Sequence, residues 1–163
     1  MRIVVIADSH FGNTARVAEA IARGVRLEGA EADVLTAADA AIDHILAGRP
    51  DVVALGGPTV NRRMTAALER CVNELQPHAR DLGTAAFDTR YRGADLLMGS
   101  AAKRAARILG AAGARLIAPP ESFIVARAEA PRGQRTQPGL STLADGEEAR
   151  AEAWGRSLVE RQG

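Results

Sequence analysis

The feature that most constrains this chain is an alternation: short β-rich runs are separated by segments with the apolar spacing of amphipathic helices. Residues 2–7 (RIVVIA) predict a strand, and 14–27 a helix with Val17, Ile21 and Val25 along one face. Residues 32–36 (ADVLT) make a second strand, followed by an alanine-rich helix near 38–47. GRPDVVALGGP then gives a turn, a buried strand at 51–55 and a Gly-Gly-Pro stop. The helix predicted at 64–76 sets Leu68, Cys71, Val72 and Leu75 at i, i+3, i+4 and i+7. A fourth strand falls at 83–87 (GTAAF).

Ser100 is placed to cap a helix whose Ala101, Ala105, Ile108, Leu109 and Ala112 face inward, closed by Gly113. ARLIA and SFIV, split by Pro119-Pro120, read as one bent or bulged fifth strand. A polar loop over 126–144 follows, either a mobile cover or a partner contact. The last helix opens with Asp145 and Glu148, spaced as a capping box, and buries Ala151, Trp154 and Leu158. Five strands alternating with five helices predict an α/β architecture with a parallel sheet covered on both faces. At 163 residues, without internal repeats, the chain reads as a single domain, 1–163.

Composition removes several function classes. The net charge is +1, and Lys103 is the only lysine, so the basic charge is almost entirely arginine. Charges of both signs are interspersed, without the like-charged block that would mark a nucleic-acid stripe or a membrane-binding tail. Cys71 is the only cysteine, which excludes an intramolecular disulfide and a cysteine-rich metal site. His44 and His78 lie on separate segments, with no metal-ligand spacing. The apolar start is interrupted by Asp8, and no run approaches a membrane span, so a cytoplasmic location is expected.

In an open α/β sheet, ligands bind beyond the carboxyl ends of the strands, where the strand order reverses. For the order 2-1-3-4-5 that crevice lies between strands one and three, walled by Ser9–Thr14 and Gly56–Met64, the two loops of oddest composition. In the first, Ser9, Asn13 and Thr14 offer side-chain donors, and Gly12 lets the backbone turn tightly ahead of a helix N-terminus. These make a phosphate cradle without lysine or metal. Equally, Asn13 or Thr14 would cap the helix with no ligand present. His10, inside the loop, adds a donor to the anion or points to solvent.

In SHFGNT the chain resembles the flavodoxins, which hold the FMN phosphate in a T/S-x-T-G-N-T loop after the first strand. The match falls on Ser9, Gly12, Asn13 and Thr14, and Phe11 stands where a hydroxyl is usual. DVVALGGPTVNRRM resembles the family's third strand and its G-x-P-T loop, which lays Pro58, Thr59, Val60, Asn61 and Arg62 along the flavin. AAFDTRYRG stands where a third flavin-contacting loop follows the fourth strand, with Asp88 and Thr89 at the pyrimidine edge or merely in a turn. The resemblance implies a flavodoxin-like three-layer α/β/α fold, a five-stranded parallel sheet in the order 2-1-3-4-5, and FMN as cofactor.

The isoalloxazine needs a flat slot, and stacking on an aromatic excludes water from it. Val60 occupies the position where a flavodoxin often places an aromatic, which leaves Tyr91 as the stacking partner. Phe87, Phe123 and Trp154 fall in predicted strands or on an apolar face and read as core. Arg62, Arg63, Arg90 and Arg92 gather on the two loops expected to flank the ring. Well-studied flavodoxins surround their flavin with acidic charge; arginines imply a flavin that is easier to reduce and an acidic redox partner.

The leading reading is an FMN-binding, flavodoxin-like electron-transfer protein with no catalytic side chain of its own. A quinone or small-acceptor reductase on the same scaffold is the enzymatic variant, for which small Val60 leaves an open ring face. A flavin-free binding or regulatory module is the alternative from another class.

Overall fold

A computed structural model describes residues 1–91, 99–126 and 141–162. The strands are β1 (Arg2–Ala7), β2 (Glu31–Thr36), β3 (Val52–Pro58), β4 (Gly83–Tyr91), β5 (Arg115–Leu116), β6 (Glu121–Ala126) and β7 (Thr142–Leu143). The helices are α1 (Asn13–Leu27), α2 (Ile42–Ala47), α3 (Ala66–Leu75), α4 (Ala101–Ala111) and α5 (Glu147–Gln162).

The sheet runs β2-β1-β3-β4-β6-β7, with β5 also paired to β4. Every pairing is parallel except β6 with β7. The expected order 2-1-3-4 holds, and the fifth position is shared. β5 pairs with Gly83 and Thr84, and β6 with Phe87 through Tyr91. Pro119 and Pro120 fall in the gap, where neither can donate to a ladder, so the strand breaks there instead of bulging. β7 is an addition, laid antiparallel on Val125 and Ala126.

β1 is buried on both faces, as its unbroken apolar run requires. Ile3 and Val5 join α1 and α5 in one core, which includes the edge-to-face aromatics Phe87, Phe123 and Trp154. Val4 and Ile6 join α2, α3 and α4 in the other. Helices α1 and α5 approach at two glycines: a Cβ on Gly155 would lie 2.1 Å from the Ile21 carbonyl oxygen, and one on Gly24 2.0 Å from that of Glu152. Arginines of α1 clasp the same pair from outside, Arg16 reaching Glu148 at 2.6 Å and Arg23 reaching Glu152 at 3.6 Å.

Three expectations change. Helix α2 starts at Ile42, because the carbonyls of Ala37 and Ala40 accept hydrogen bonds from Arg70 of α3 and hold that stretch as a turn. Helix α5 starts at Glu147, and no capping box forms: Glu148 pairs with Arg16, while Glu147 Oε2 accepts the Ile124 amide at 2.7 Å. Strand β4 runs through Tyr91, four residues past the apolar run that predicted it.

Candidate functional site

The carboxyl ends of β1, β3 and β4 lie side by side, so the loops that leave them are brought together whatever their sequence separation. After β1, residues 8–12 turn into α1 through Gly12, whose φ of +85° suits glycine and strains other residues. Among the described residues, a Cβ there would meet nothing within 4 Å, so the space beside Gly12 is open. The first turn of α1 carries no acidic side chain. Ser9 Oγ accepts the Ala15 amide at 3.1 Å, so the helix is capped by Ser9 and not by Asn13 or Thr14. Among the described residues, no acceptor meets the amides of Gly12, Asn13 and Thr14. Three such donors stand at the positive end of a fifteen-residue helix, the arrangement that an anion requires.

The side chains of this loop are used differently from the sequence expectation. Thr14 is buried and its hydroxyl shares a 2.8 Å hydrogen bond with that of Thr89. Asn13 Nδ2 donates to the Ser141 carbonyl at 2.9 Å. His10 is half exposed with Nε2 3.5 Å from Asp8 Oδ2, and Phe11 is 58% exposed.

Beyond β3, Thr59 donates its amide to the Thr89 carbonyl at 3.0 Å, keeping the loop against β4. The next four residues close a tight reversal: Val60 and Arg63 exchange backbone hydrogen bonds of 3.1 and 2.9 Å. The two residues between them are left-handed, Asn61 at φ +48° and Arg62 at φ +67°, as a type I′ turn demands. Asparagine tolerates that region; arginine is strained in it. The glycines ahead of the turn answer to packing, since a Cβ on Gly56 would fall 2.1 Å from the Phe87 ring and one on Gly57 2.9 Å from Leu68.

The third segment is strand and not loop. Because β4 continues through Asp88, Thr89, Arg90 and Tyr91, these side chains alternate between the two sheet faces. Asp88, expected at the flavin edge or in a turn, is fully buried on the α4 side. Its Oδ2 accepts from Thr59 Oγ1 at 2.8 Å, Ser100 Oγ at 2.6 Å and the Ala102 amide at 3.3 Å. Thr59 Oγ1 in turn accepts the Ala101 amide at 2.9 Å. Asp88 thus ties the β3 loop to the N-terminus of α4, and the structure corrects its expected place. Tyr91 packs on the α1/α5 core and donates its hydroxyl to Ser141 Oγ at 3.2 Å. Arg92 lies outside the described residues.

Together the segments form a cleft. Ser9, His10, Phe11, Asn13 and Thr14 line one wall, Pro58, Thr59 and Val60 a second, and Thr89, Arg90 and Tyr91 a third. Val125 of β6 completes the lining and had no signal in the sequence. Gly12 sits at the loop apex, and exposed Arg62 at the turn tip, outside that lining. Asn61 lines an adjoining groove of ≈ 640 Å³ shared with Asp8, Arg63 and Met64, which meets the cleft across His10 and Val60. A further hollow of ≈ 680 Å³ lies along the β2 edge near Arg2, Arg26 and His44, away from these loops. Cys71 is buried in the α3 core, where burial pushes its thiol pKa up, so it is a packed and not a reactive thiol.

The sequence model of the Flavodoxin family matches residues 5–154. The chain belongs to the flavodoxin family. Flavodoxins are FMN-binding electron-transfer proteins, and this flavodoxin shares that character. Among solved structures it is similar to a flavodoxin from the domain Archaea, at a TM-score of 0.75 and 19% identity, covering 99% of each chain. Flavodoxin 1 from Bacillus cereus gives a TM-score of 0.75 at 19% identity, covering 98% of each. The rubredoxin oxygen:oxidoreductase of Desulfovibrio gigas gives 0.76 at 15% identity, with 99% of this chain on 36% of that one. At such identities the likeness is one of fold. No curated protein sequence matches the chain.

Proposed function

We propose that FMN is held in the cleft between the three loops, and that the chain carries electrons between protein partners from it. The observation that carries this reading is that, among the described residues, the amides of Gly12, Asn13 and Thr14 have no acceptor. They suit a phosphate, with Ser9 holding the first turn in place. Phe11 and Val60, 58% and 42% exposed at the cleft mouth, supply apolar cover for a ring, and Tyr91 an aromatic wall. The flavin supplies the redox chemistry when bound; the chain binds it, orients it and keeps water from its faces.

The partner is read from charge. Arg62 and Arg63 are exposed on the turn beside the cleft and, among the described residues, make no ion pair. Such a rim favours an acidic redox protein, with an association rate that falls as salt is added. Among the described residues, no helix is long and apolar enough to cross a membrane, and we place this single domain in the cytoplasm. The groove behind Val60 supports one further reading, reduction of a small acceptor such as a quinone directly at the ring.

The test compares FMN with riboflavin, which lacks the phosphate, by quenching of flavin fluorescence. FMN should bind at micromolar concentration or tighter and at least about tenfold more tightly than riboflavin, the worth of charge-assisted hydrogen bonds to one phosphate. Equal affinities would remove the phosphate from the α1 loop. No binding of either would return the chain to the flavin-free reading.

A further inference from the structure

We propose that Ser141 is a positioning residue of the flavin site, acting through Asn13 and Tyr91; this rests on the reading of the cleft as the FMN site. Ser141 immediately precedes β7 and is 4% exposed. It meets two cleft residues at once: its carbonyl accepts from Asn13 Nδ2 at 2.9 Å, and its Oγ accepts from Tyr91 Oη at 3.2 Å. Those partners lie 128 and 50 residues away in the chain.

Ser141 is itself held by backbone. Thr142 and Leu143 pair with Ala126 and Val125, and the Ala144 amide donates to the Ile124 carbonyl at 2.9 Å. Val125 lines the cleft as well. The antiparallel turn-back of β7 on β6 therefore aims one serine into the gap between the start of α1 and the end of β4. No other described residue bridges Asn13 and Tyr91.

The physical consequence is pre-organisation. One N–H of Asn13 is spent on Ser141, which orients the rest of that amide beside the unpaired backbone donors. The Tyr91 ring packs on the α1/α5 core, and the hydrogen bond to Ser141 fixes its hydroxyl end. A ring that is already in place costs less rotamer freedom when a flavin packs on it. A clasp that served folding alone would change the melting temperature of the empty protein and leave flavin affinity untouched.

The experiment is a double-mutant cycle in the full chain with Ser141→Ala, Tyr91→Phe and both together. Ser141→Ala removes only Oγ and keeps the carbonyl that holds Asn13; Tyr91→Phe removes the same hydrogen bond from the other end and keeps the ring. FMN affinity is read by fluorescence quenching, the ring environment by the visible spectrum of bound FMN, and folding by circular dichroism of the empty protein. Each single change should weaken FMN about three- to tenfold and alter the bound-flavin spectrum, and the double should be no weaker than either single. Wild-type affinity in Ser141→Ala, or losses that multiply in the double variant, would overturn the proposal. If the wild-type chain bound no FMN, the reading of the cleft would fall and this one with it; if it bound FMN and Ser141→Ala matched it, this one alone would fall.

Discussion

Replacing Gly155 with alanine should destabilise this protein, although Gly→Ala in an open helix position stabilises by about 0.5–1 kcal/mol through the propensity difference. The new Cβ would sit 2.1 Å from the Ile21 carbonyl oxygen, 2.9 Å from its carbonyl carbon and 3.0 Å from its Cα. Carbon and carbonyl oxygen need roughly 3.3 Å, and all three atoms are backbone, so no rotamer change relieves the overlap. Helices α1 and α5 would have to part locally by about 1 Å, loosening Ile21, Ala151, Trp154 and Leu158 in the core between them and the sheet. Overpacking costs about 1–3 kcal/mol, and an overlap this deep with rigid backbone falls at about 2–3, leaving a net loss of about 1–2 kcal/mol after a propensity gain of about 1. For a domain of this size that lowers the melting temperature by about 2–8 °C.

Gly110→Ala on α4 is the control, since its Cβ would rest 3.4 Å from Leu116 Cδ1, an ordinary contact. It should raise the melting temperature by about 1–4 °C. Thermal denaturation by circular dichroism of both variants checks the sign directly. Gly155→Ala melting at or above wild type would refute the close helix contact. Because Gly24 meets Glu152 across the same interface, Gly24→Ala and Gly155→Ala together should cost less than the sum of the two.

Asp88→Ala would leave Thr59, Ser100 and the Ala102 amide without their shared buried acceptor and should cost about 3–5 kcal/mol, whereas Asp88→Asn should cost less because its carbonyl oxygen accepts the same donors; equal urea midpoints for the two variants would argue against this network. Arg62→Gly should relieve the left-handed strain at φ +67° and complete an Asn-Gly turn, for a net gain of up to about 1 kcal/mol in chemical denaturation; a loss of stability would show that Arg62 earns its place by contacts. Cys71 should label with a thiol reagent at pH 8 only on unfolding, since burial raises its pKa and keeps it a thiol. The same shift contributes stability that is complete below the pKa of the unfolded thiol and is lost as pH rises through the raised value, so denaturation at pH 10 should come earlier than at pH 7. Rapid labelling of the native protein would contradict both.

Local chemistry settles much of this molecule. The run RIVVIA is β1 to the residue, because its buried apolar stretch, Ile3 to Ala7, is bounded by the charged Arg2 and Asp8. Val17, Ile21 and Val25 do face the core from α1, and Ser100 does cap α4 through the Lys103 amide. The two loops of odd composition do wall one cleft, since strand order places β1 beside β3.

What tertiary structure alone decided are the features made by partners distant in the chain. The residues DTRY read as a loop because they are polar; β6 pairs with all four and β3 with Asp88 and Thr89, which makes them strand. Asp88 reads as a ligand-edge carboxylate or a turn residue until α4 supplies the donors that bury it, and nothing near Gly155 in the chain marks it as the point where α1 lies against α5. Ser141 carries no motif at all, and it meets Asn13 and Tyr91 only because β7 turns back on β6. Periodicity and capping are written within a few residues of one another and can be read there; a contact across 128 residues depends on the whole path of the backbone.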